Sequence, residues 1–120
     1  MRSHFWIGNF SSSKLLDEYF HEQYEDEEIP ISKFAKDLNA FFYDHDFLEY
    51  GFEENIDNLE ESLQNYSYSN LWINQLKFKL NKLDIHNFNT IVFMNTGELE
   101  NPTDCRGEDY LLKYVGEIEY

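Results

Sequence analysis

The fold is indicated first by the segment His4-Phe5-Trp6-Ile7-Gly8-Asn9-Phe10. Successive side chains of a β-strand point to opposite faces of the sheet, so Phe5 and Ile7 share one face. Trp6 and Phe10 share the other face. Because both faces are apolar, this segment is expected to be a central strand.

Hydrophobic periodicity in the rest of the chain predicts four helices and three further strands. The helices are expected over residues 12–24, 32–38, 55–65 and 69–83, and the strands over residues 47–53, 90–94 and 110–120. Residues 96–107 contain Gly, Pro, Asn and Asp, which predicts an exposed loop.

The last strand contains Gly116, a residue that often marks a β-bulge. One face of this strand is expected to carry Leu112, Tyr114, Ile118 and Tyr120. The strand is also expected to form a hairpin-like pair with the strand before it. The element order is β-α-α-β-α-α-β-β, which predicts one α+β domain over residues 1–120. Its sheet is expected to be mostly antiparallel and four-stranded, with the helices packed on one face.

The charge is strongly acidic, with 24 Asp and Glu residues against 9 Lys and Arg residues and a net charge of −15. Nucleic acid and anionic membranes are unsuitable partners, because binding to both depends on Lys and Arg. A basic protein surface is complementary, and opposite potentials raise association rates by roughly 10- to 1000-fold. The alternative is that the charge only maintains solubility.

The sequence features favour a cytoplasmic location. The N-terminal residues contain no apolar signal-peptide core, and no apolar run reaches the roughly 18 residues of a membrane span. The single cysteine, Cys105, cannot form an internal disulfide, which is typical of a reducing compartment.

No motif predicts catalysis, a cofactor or a metal site. Asp44-His45-Asp46 is the nearest candidate for metal binding, but His4, His21 and His86 do not follow it at a metal-ligand spacing. Cys105 lies in a polar loop without a histidine nearby in the sequence, as a catalytic thiol would require. We therefore expect no metal, no cofactor and no catalytic residue.

The carboxylates are concentrated in the first two-thirds of the chain. Residues 17–28 hold seven of them, and residues 37–75 hold nine without any Lys or Arg. Tyrosines among these acids would be suitable anchors for an interface. The expected partner-binding residues are Glu25, Asp26, Glu27, Glu28, Tyr43, Asp44, Asp46, Glu49, Tyr50, Glu53, Glu54, Asp57 and Tyr66.

Four segments of the first half carry a family resemblance: Phe5-Trp6-Ile7-Gly8-Asn9-Phe10, Tyr19-Phe20, Ser32-x-Phe34-x-x-Asp37 and Phe42-Tyr43-Asp44-His45-Asp46-Phe47-Leu48-Glu49. Through them the chain resembles the immunity protein 22 family of bacterial polymorphic toxin systems. The resemblance implies a cytoplasmic protein that neutralises a toxin, for which a nuclease is one candidate. It transfers no catalytic residue and no contact residue to this chain.

The leading hypothesis is therefore a non-enzymatic immunity protein that binds a cognate toxin through an acidic surface. A regulatory or structural interaction domain without a toxin partner, including a homodimer, is the alternative. An enzyme is a third class, which a deep pocket containing His45 or His21 with a strongly shifted pKa would favour.

Overall fold

A computed structural model of the chain describes residues 1–21, 32–39, 47–54 and 58–120. Its elements, in chain order, are β1 (Arg2–Phe10), α1 (Ser13–Phe20), α2 (Lys33–Asp37), β2 (Leu48–Phe52), α3 (Leu59–Leu63), α4 (Ser69–Lys82), β3 (Thr90–Asn95), a 3-10 turn (Thr96–Glu98), β4 (Cys105–Arg106) and β5 (Tyr110–Glu119).

The strands form one sheet in the order β2-β3-β1-β5-β4, and every neighbouring pair is antiparallel. The expected α+β class is confirmed, as is the central position of β1. Within the described residues the sheet has five strands instead of the expected four, because the two residues of β4 are too few to produce a recognisable pattern. The expected pairing of the last two long strands is wrong, since β1 lies between β3 and β5.

Helices cover both faces of the sheet, whereas the sequence predicted helices on one face. Trp6 and Phe10 of β1 belong to a core cluster with side chains of α1 and α2. Phe5 and Ile7 belong to a second cluster with side chains of α3 and α4. The apolar character of both faces of β1 thus has a direct cause, because each face packs against its own pair of helices.

A β-bulge divides β5, as Gly116 indicated. Phe5 pairs with Gly116 while Trp6 pairs with Tyr114, so that Val115 has no residue opposite it on β1. Gly116 has a φ of +121°, a conformation that favours glycine.

The extra residue in the bulge reverses the alternation of side chains along β5. Leu112 and Tyr114 therefore pack with the α1–α2 cluster, whereas Ile118 and Tyr120 pack with the α3–α4 cluster. The expectation that all four share a face is wrong for this reason.

Side chains cap α1, α2 and α3, whereas no side-chain hydrogen bond caps α4 at Tyr68. The hydroxyl of Ser12 accepts from the backbone N–H of Leu15 at the start of α1, and Ser32 and Asn58 cap α2 and α3 in the same way. Helix α1 ends at Phe20, four residues before the expected end, because His21 is already extended. The expected acidic loop at residues 25–28 lies outside the described residues, as do residues 22–24 and 55–57.

Candidate interaction surface

Five of the expected contact residues lie in the described chain, namely Glu49, Tyr50, Glu53, Glu54 and Tyr66. Glu25, Asp26, Glu27, Glu28, Tyr43, Asp44, Asp46 and Asp57 lie outside it. The described members therefore define the local geometry around β2, which is at one end of the strand order.

Two carboxylates, Glu49 of β2 and Glu53 directly after β2, form hydrogen bonds with the connection between α3 and α4. The Glu49 Oε2 atom accepts a hydrogen bond from the backbone N–H of Ser67 at 2.9 Å. The Glu53 Oε1 atom accepts one from the Tyr66 hydroxyl at 3.1 Å. The Tyr66 ring lies against Gly51, where a Cβ atom would be only 1.6 Å from the Tyr66 hydroxyl oxygen. Gly51 thus provides the space that lets Tyr66 reach Glu53.

Tyr50 points to the opposite face of the sheet. Its ring stacks on Phe20 with a centroid distance of 4.3 Å, and its hydroxyl donates to Asp17 Oδ1 at 3.4 Å. Since Glu49 and Glu53 face α3 and α4, the described side chains of the expected set divide between the two faces of β2.

The two tyrosines are partly buried parts of the fold. Burial raises the pKa of the Tyr66 hydroxyl above its ordinary value, and the nearby Glu53 carboxylate raises it further. Burial likewise raises the pKa of Tyr50, with Asp17 contributing to the shift. Both hydroxyls therefore stay protonated and donate to a carboxylate of the same chain.

More exposed aromatic side chains lie close to the same strand. Phe47 precedes β2 and is 54% exposed, and Tyr68 precedes α4 and is 56% exposed. They line a recess of about 200 Å³ together with Met1, Tyr120 and Glu49. We call Met1, Phe47, Tyr68 and Tyr120 the aromatic patch.

The position of one member of the aromatic patch, Phe47, could be predicted from the sequence. Side chains alternate along residues 47–53, so Phe47 lies on the same side of the strand as Glu49 and Glu53. The side that carries these carboxylates is expected to face water. Tyr68 lies between the predicted helices over residues 55–65 and 69–83, and nothing in the local pattern distinguishes it there. What the sequence could not show is that Tyr120 of β5 approaches Tyr68, with ring centroids 6.2 Å apart.

A few cations compensate part of the charge on the described surface. The Lys77 Nζ atom is 2.7 Å from Glu60 Oε1, and this ion pair lowers the pKa of Glu60. The Arg2 Nη2 atom is 3.0 Å from Glu119 Oε2. Both pairs are exposed, so they contribute little to stability.

Cys105 is buried, contrary to the expectation of an exposed loop thiol. It is 1% exposed and packs in the α1–α2 cluster. Burial is the main cause that raises the pKa of the thiol, to about 11. A protonated, inaccessible thiol is unsuited to nucleophilic catalysis.

The buried histidine, His4, serves the fold. Its Nε2 atom is 2.9 Å from the Leu99 carbonyl oxygen, which can only accept, so Nε2 carries the hydrogen. The Nδ1 atom forms a second hydrogen bond with the Tyr114 hydroxyl, 2.8 Å away. Both ring nitrogens are used within the chain.

A cleft of about 360 Å³ lies beside α1 and the start of β5. Tyr19 and Tyr110 line it, and both hydroxyls donate to the Asp37 carboxylate. Burial, more than Asp37, raises the pKa of both tyrosines above their ordinary value. These hydroxyls are therefore structural donors at neutral pH, and His21 does not line the cleft.

Within the described ranges, no group of three or more His, Cys, Asp or Glu residues is arranged to hold a metal ion. The Asp44-His45-Asp46 candidate lies outside those ranges. No helix in the described part of the chain has the length and apolar character needed to cross a bilayer.

Similarity to known proteins shows the family of this chain. Comparisons with functionally curated proteins and with solved structures find no match. A family model described as Immunity protein 22 matches residues 4–120, which is nearly the whole chain and includes the C-terminal half. The chain therefore belongs to the Immunity protein 22 family, and its role is in immunity.

Proposed function

We propose that this chain is a non-enzymatic immunity protein of the bacterial cytoplasm that binds and neutralises a cognate toxin through an acidic surface. The observation that carries the proposal is the family match over residues 4–120, joined to a net charge of −15. Protection of the producing cell then requires only that the toxin be held in an inactive complex.

The charge favours a basic toxin, and a nuclease is the toxin class that it fits best. A nuclease must present Lys and Arg to the phosphates of its substrate. An acidic protein can occupy that basic groove or its rim, and complementary potentials accelerate the encounter. The same charge disfavours nucleic acid and anionic membranes as partners of the immunity protein itself.

The proposed contact surface centres on β2 and on the acidic segments near it in sequence. Its residues are Glu25, Asp26, Glu27, Glu28, Tyr43, Asp44, Asp46, Glu49, Tyr50, Glu53, Glu54, Asp57 and Tyr66. Glu54 is exposed and is suited to direct pairing with a basic side chain. Glu49 and Glu53, which already accept from Ser67 and Tyr66, would act mainly through their negative potential.

Co-expression with a candidate toxin domain taken from the neighbouring genes tests the proposal. We expect the toxin domain alone to stop bacterial growth and the wild-type chain to restore it, because a tight complex removes the active toxin. The purified proteins should also form a complex in size-exclusion chromatography. Continued growth arrest with a folded, expressed chain, and no complex, would contradict the proposal.

A further inference from the structure

We propose that the aromatic patch is the apolar anchor of the interface with a basic partner protein. This inference rests on the proposed function and adds the location of the anchor. The occupant is a toxin surface on which an apolar side chain, surrounded by Lys or Arg, enters the recess of about 200 Å³.

The patch brings together exposed apolar side chains from separate parts of the chain. Phe47 and Tyr68 are each more than half exposed, and Met1 is 61% exposed. Phe93 of the core also lines the recess, so the patch is continuous with the buried α3–α4 cluster. Isolated exposed apolar residues are ordinary, whereas grouped aromatic and methionine side chains are enriched at protein interfaces.

The backbone that carries Tyr68 is held in place by hydrogen bonds. The Ser67 N–H donates to Glu49, and the Ser67 carbonyl accepts from the Trp72 indole at 2.8 Å. Tyr68 itself has a left-handed backbone with φ of 57°, and its carbonyl accepts from the N–H of Leu71 at 2.9 Å. A tyrosine on such a fixed backbone loses little conformational entropy when it binds.

Charge identifies the occupant as a basic partner instead of a second copy. Each copy carries −15, so self-association would bring two strongly acidic molecules together. Glu49 lines the recess itself, whereas Glu119, next to Tyr120 in the sequence, is paired with Arg2. Four patch residues are also few compared with the roughly 20–30 residues a side of a stable interface. The patch therefore suits an anchor within a larger contact whose remainder is electrostatic.

Binding to the candidate toxin domain used in the co-expression test also tests the anchor. We expect Phe47→Ala and Tyr68→Ala each to weaken binding by at least about 30-fold, as truncation of a central aromatic residue does. Tyr68→Phe keeps the ring and is expected to bind within about 3-fold of the wild type.

Phe78→Ala is the matched control, because Phe78 is 69% exposed and lies about 15 Å along α4 from Tyr68. We expect it to bind within about 3-fold of the wild type. Circular dichroism and urea unfolding confirm that each variant is folded, which the exposure of the truncated side chains should permit.

Two outcomes overturn the inference while leaving the proposed function intact. One is that the wild type binds the toxin domain while Phe47→Ala and Tyr68→Ala bind it with the same affinity as the control, Phe78→Ala. The other is that light scattering shows a wild-type dimer that these two substitutions dissociate, which would make a second copy the occupant. Failure of the wild type itself to bind would instead remove both the proposed function and the anchor that rests on it.

Discussion

At the scale of single residues, burial determines which side chains are chemically available. Cys105 and His4 are nearly inaccessible, and each contacts groups of its own chain. Tyr66 is tied to Glu53, whereas Tyr68, two residues later, is mostly exposed. Among the described residues around β2, exposed side chains include those of Phe47, Tyr68 and Glu54, which suit contact with another protein.

The Cys105 thiol is expected to react slowly in the folded chain. Its pKa is raised from 9.0 to about 11, which reduces the thiolate fraction at about pH 8 by roughly 100-fold, and the side chain is also buried. Alkylation by iodoacetamide at that pH, followed by mass spectrometry, should therefore be at least about 100-fold slower in buffer than in urea.

Because the chain has one cysteine, Cys105→Ser provides the unlabelled control. Equal alkylation rates in the folded and the unfolded chain would show that the thiol is accessible.

At the scale of elements, the close approach of β1 and β5 depends on Gly8. A Cβ atom at this position would lie 1.8 Å from the Leu111 carbonyl oxygen and 2.9 Å from the Leu112 Cα atom. These are backbone atoms, so the two strands would have to separate. Gly51 differs, because the atom nearest its Cβ position is the hydroxyl oxygen of Tyr66, a side chain that can rotate away.

Gly8→Ala is expected to destabilise the fold by about 3 kcal/mol, the upper range for overpacking. Urea unfolding followed by circular dichroism measures the change. Gly97→Ala is the control, because its nearest neighbour is the Asn95 Oδ1 atom at 3.2 Å, and we expect it to change the free energy of unfolding by less than about 1 kcal/mol. Equal unfolding midpoints for Gly8→Ala and the wild type would refute this explanation of Gly8.

Periodicity predicted the existence of each long element, because the local pattern of side chains reflects the face that each element buries. The predicted start of the first helix at residue 12 coincides with Ser12, the cap of α1, and Gly116 indicated the bulge in β5. It did not predict the consequence of the bulge, which is that Ile118 leaves the face shared by Leu112 and Tyr114. Strand order is likewise non-local, so β1 could not be placed between β3 and β5 from a single sequence.

The helices were assigned to one face for a similar reason. Amphipathic patterns show that a helix buries one side, but they do not show which face of the sheet receives it. The apolar residues on both faces of β1 were the available signal, since Trp6 packs with α1 and α2 while Phe5 packs with α3 and α4.

At the scale of the whole molecule, the main feature is a large excess of negative charge, with 24 Asp and Glu residues against 9 Lys and Arg residues. In the described part of the chain, Lys77 pairs with Glu60, and Arg2 pairs with Glu119. Each such pair joins one positive and one negative charge, so the net charge of −15 stays uncompensated. Uncompensated negative charge destabilises the folded chain through self-repulsion. The same charge would attract the basic partner that we propose.

The sequence predicted which residue types the candidate site contains better than it predicted how those residues are arranged in space. The sequence located acidic residues and aromatic residues together along residues 43–68. It could not show that Tyr50 and Tyr66 face opposite sides of β2, or that Phe47 and Tyr68 line one recess. Those relations arise from contacts between elements distant in the chain, such as Tyr68 with Tyr120.

Association kinetics with the toxin domain can separate the role of the proposed acidic surface from that of net charge alone. The reversal variant combines Glu27→Lys, Glu28→Lys and Glu54→Lys. The control variant combines Glu61→Lys, Glu100→Lys and Glu108→Lys, three exposed acids outside the proposed contact set. Both variants change the net charge by the same amount, so only the position of the change differs.

Stopped-flow measurement of the association rate over a range of salt concentrations tests the central claim most directly. The wild-type rate should fall steeply as salt screens the attraction. The reversal variant should associate at least about tenfold more slowly at low salt and depend less on salt, while the control variant should stay closer to the wild type. The same rate and the same salt dependence for the reversal variant and the wild type would contradict the claim that this acidic surface attracts the toxin.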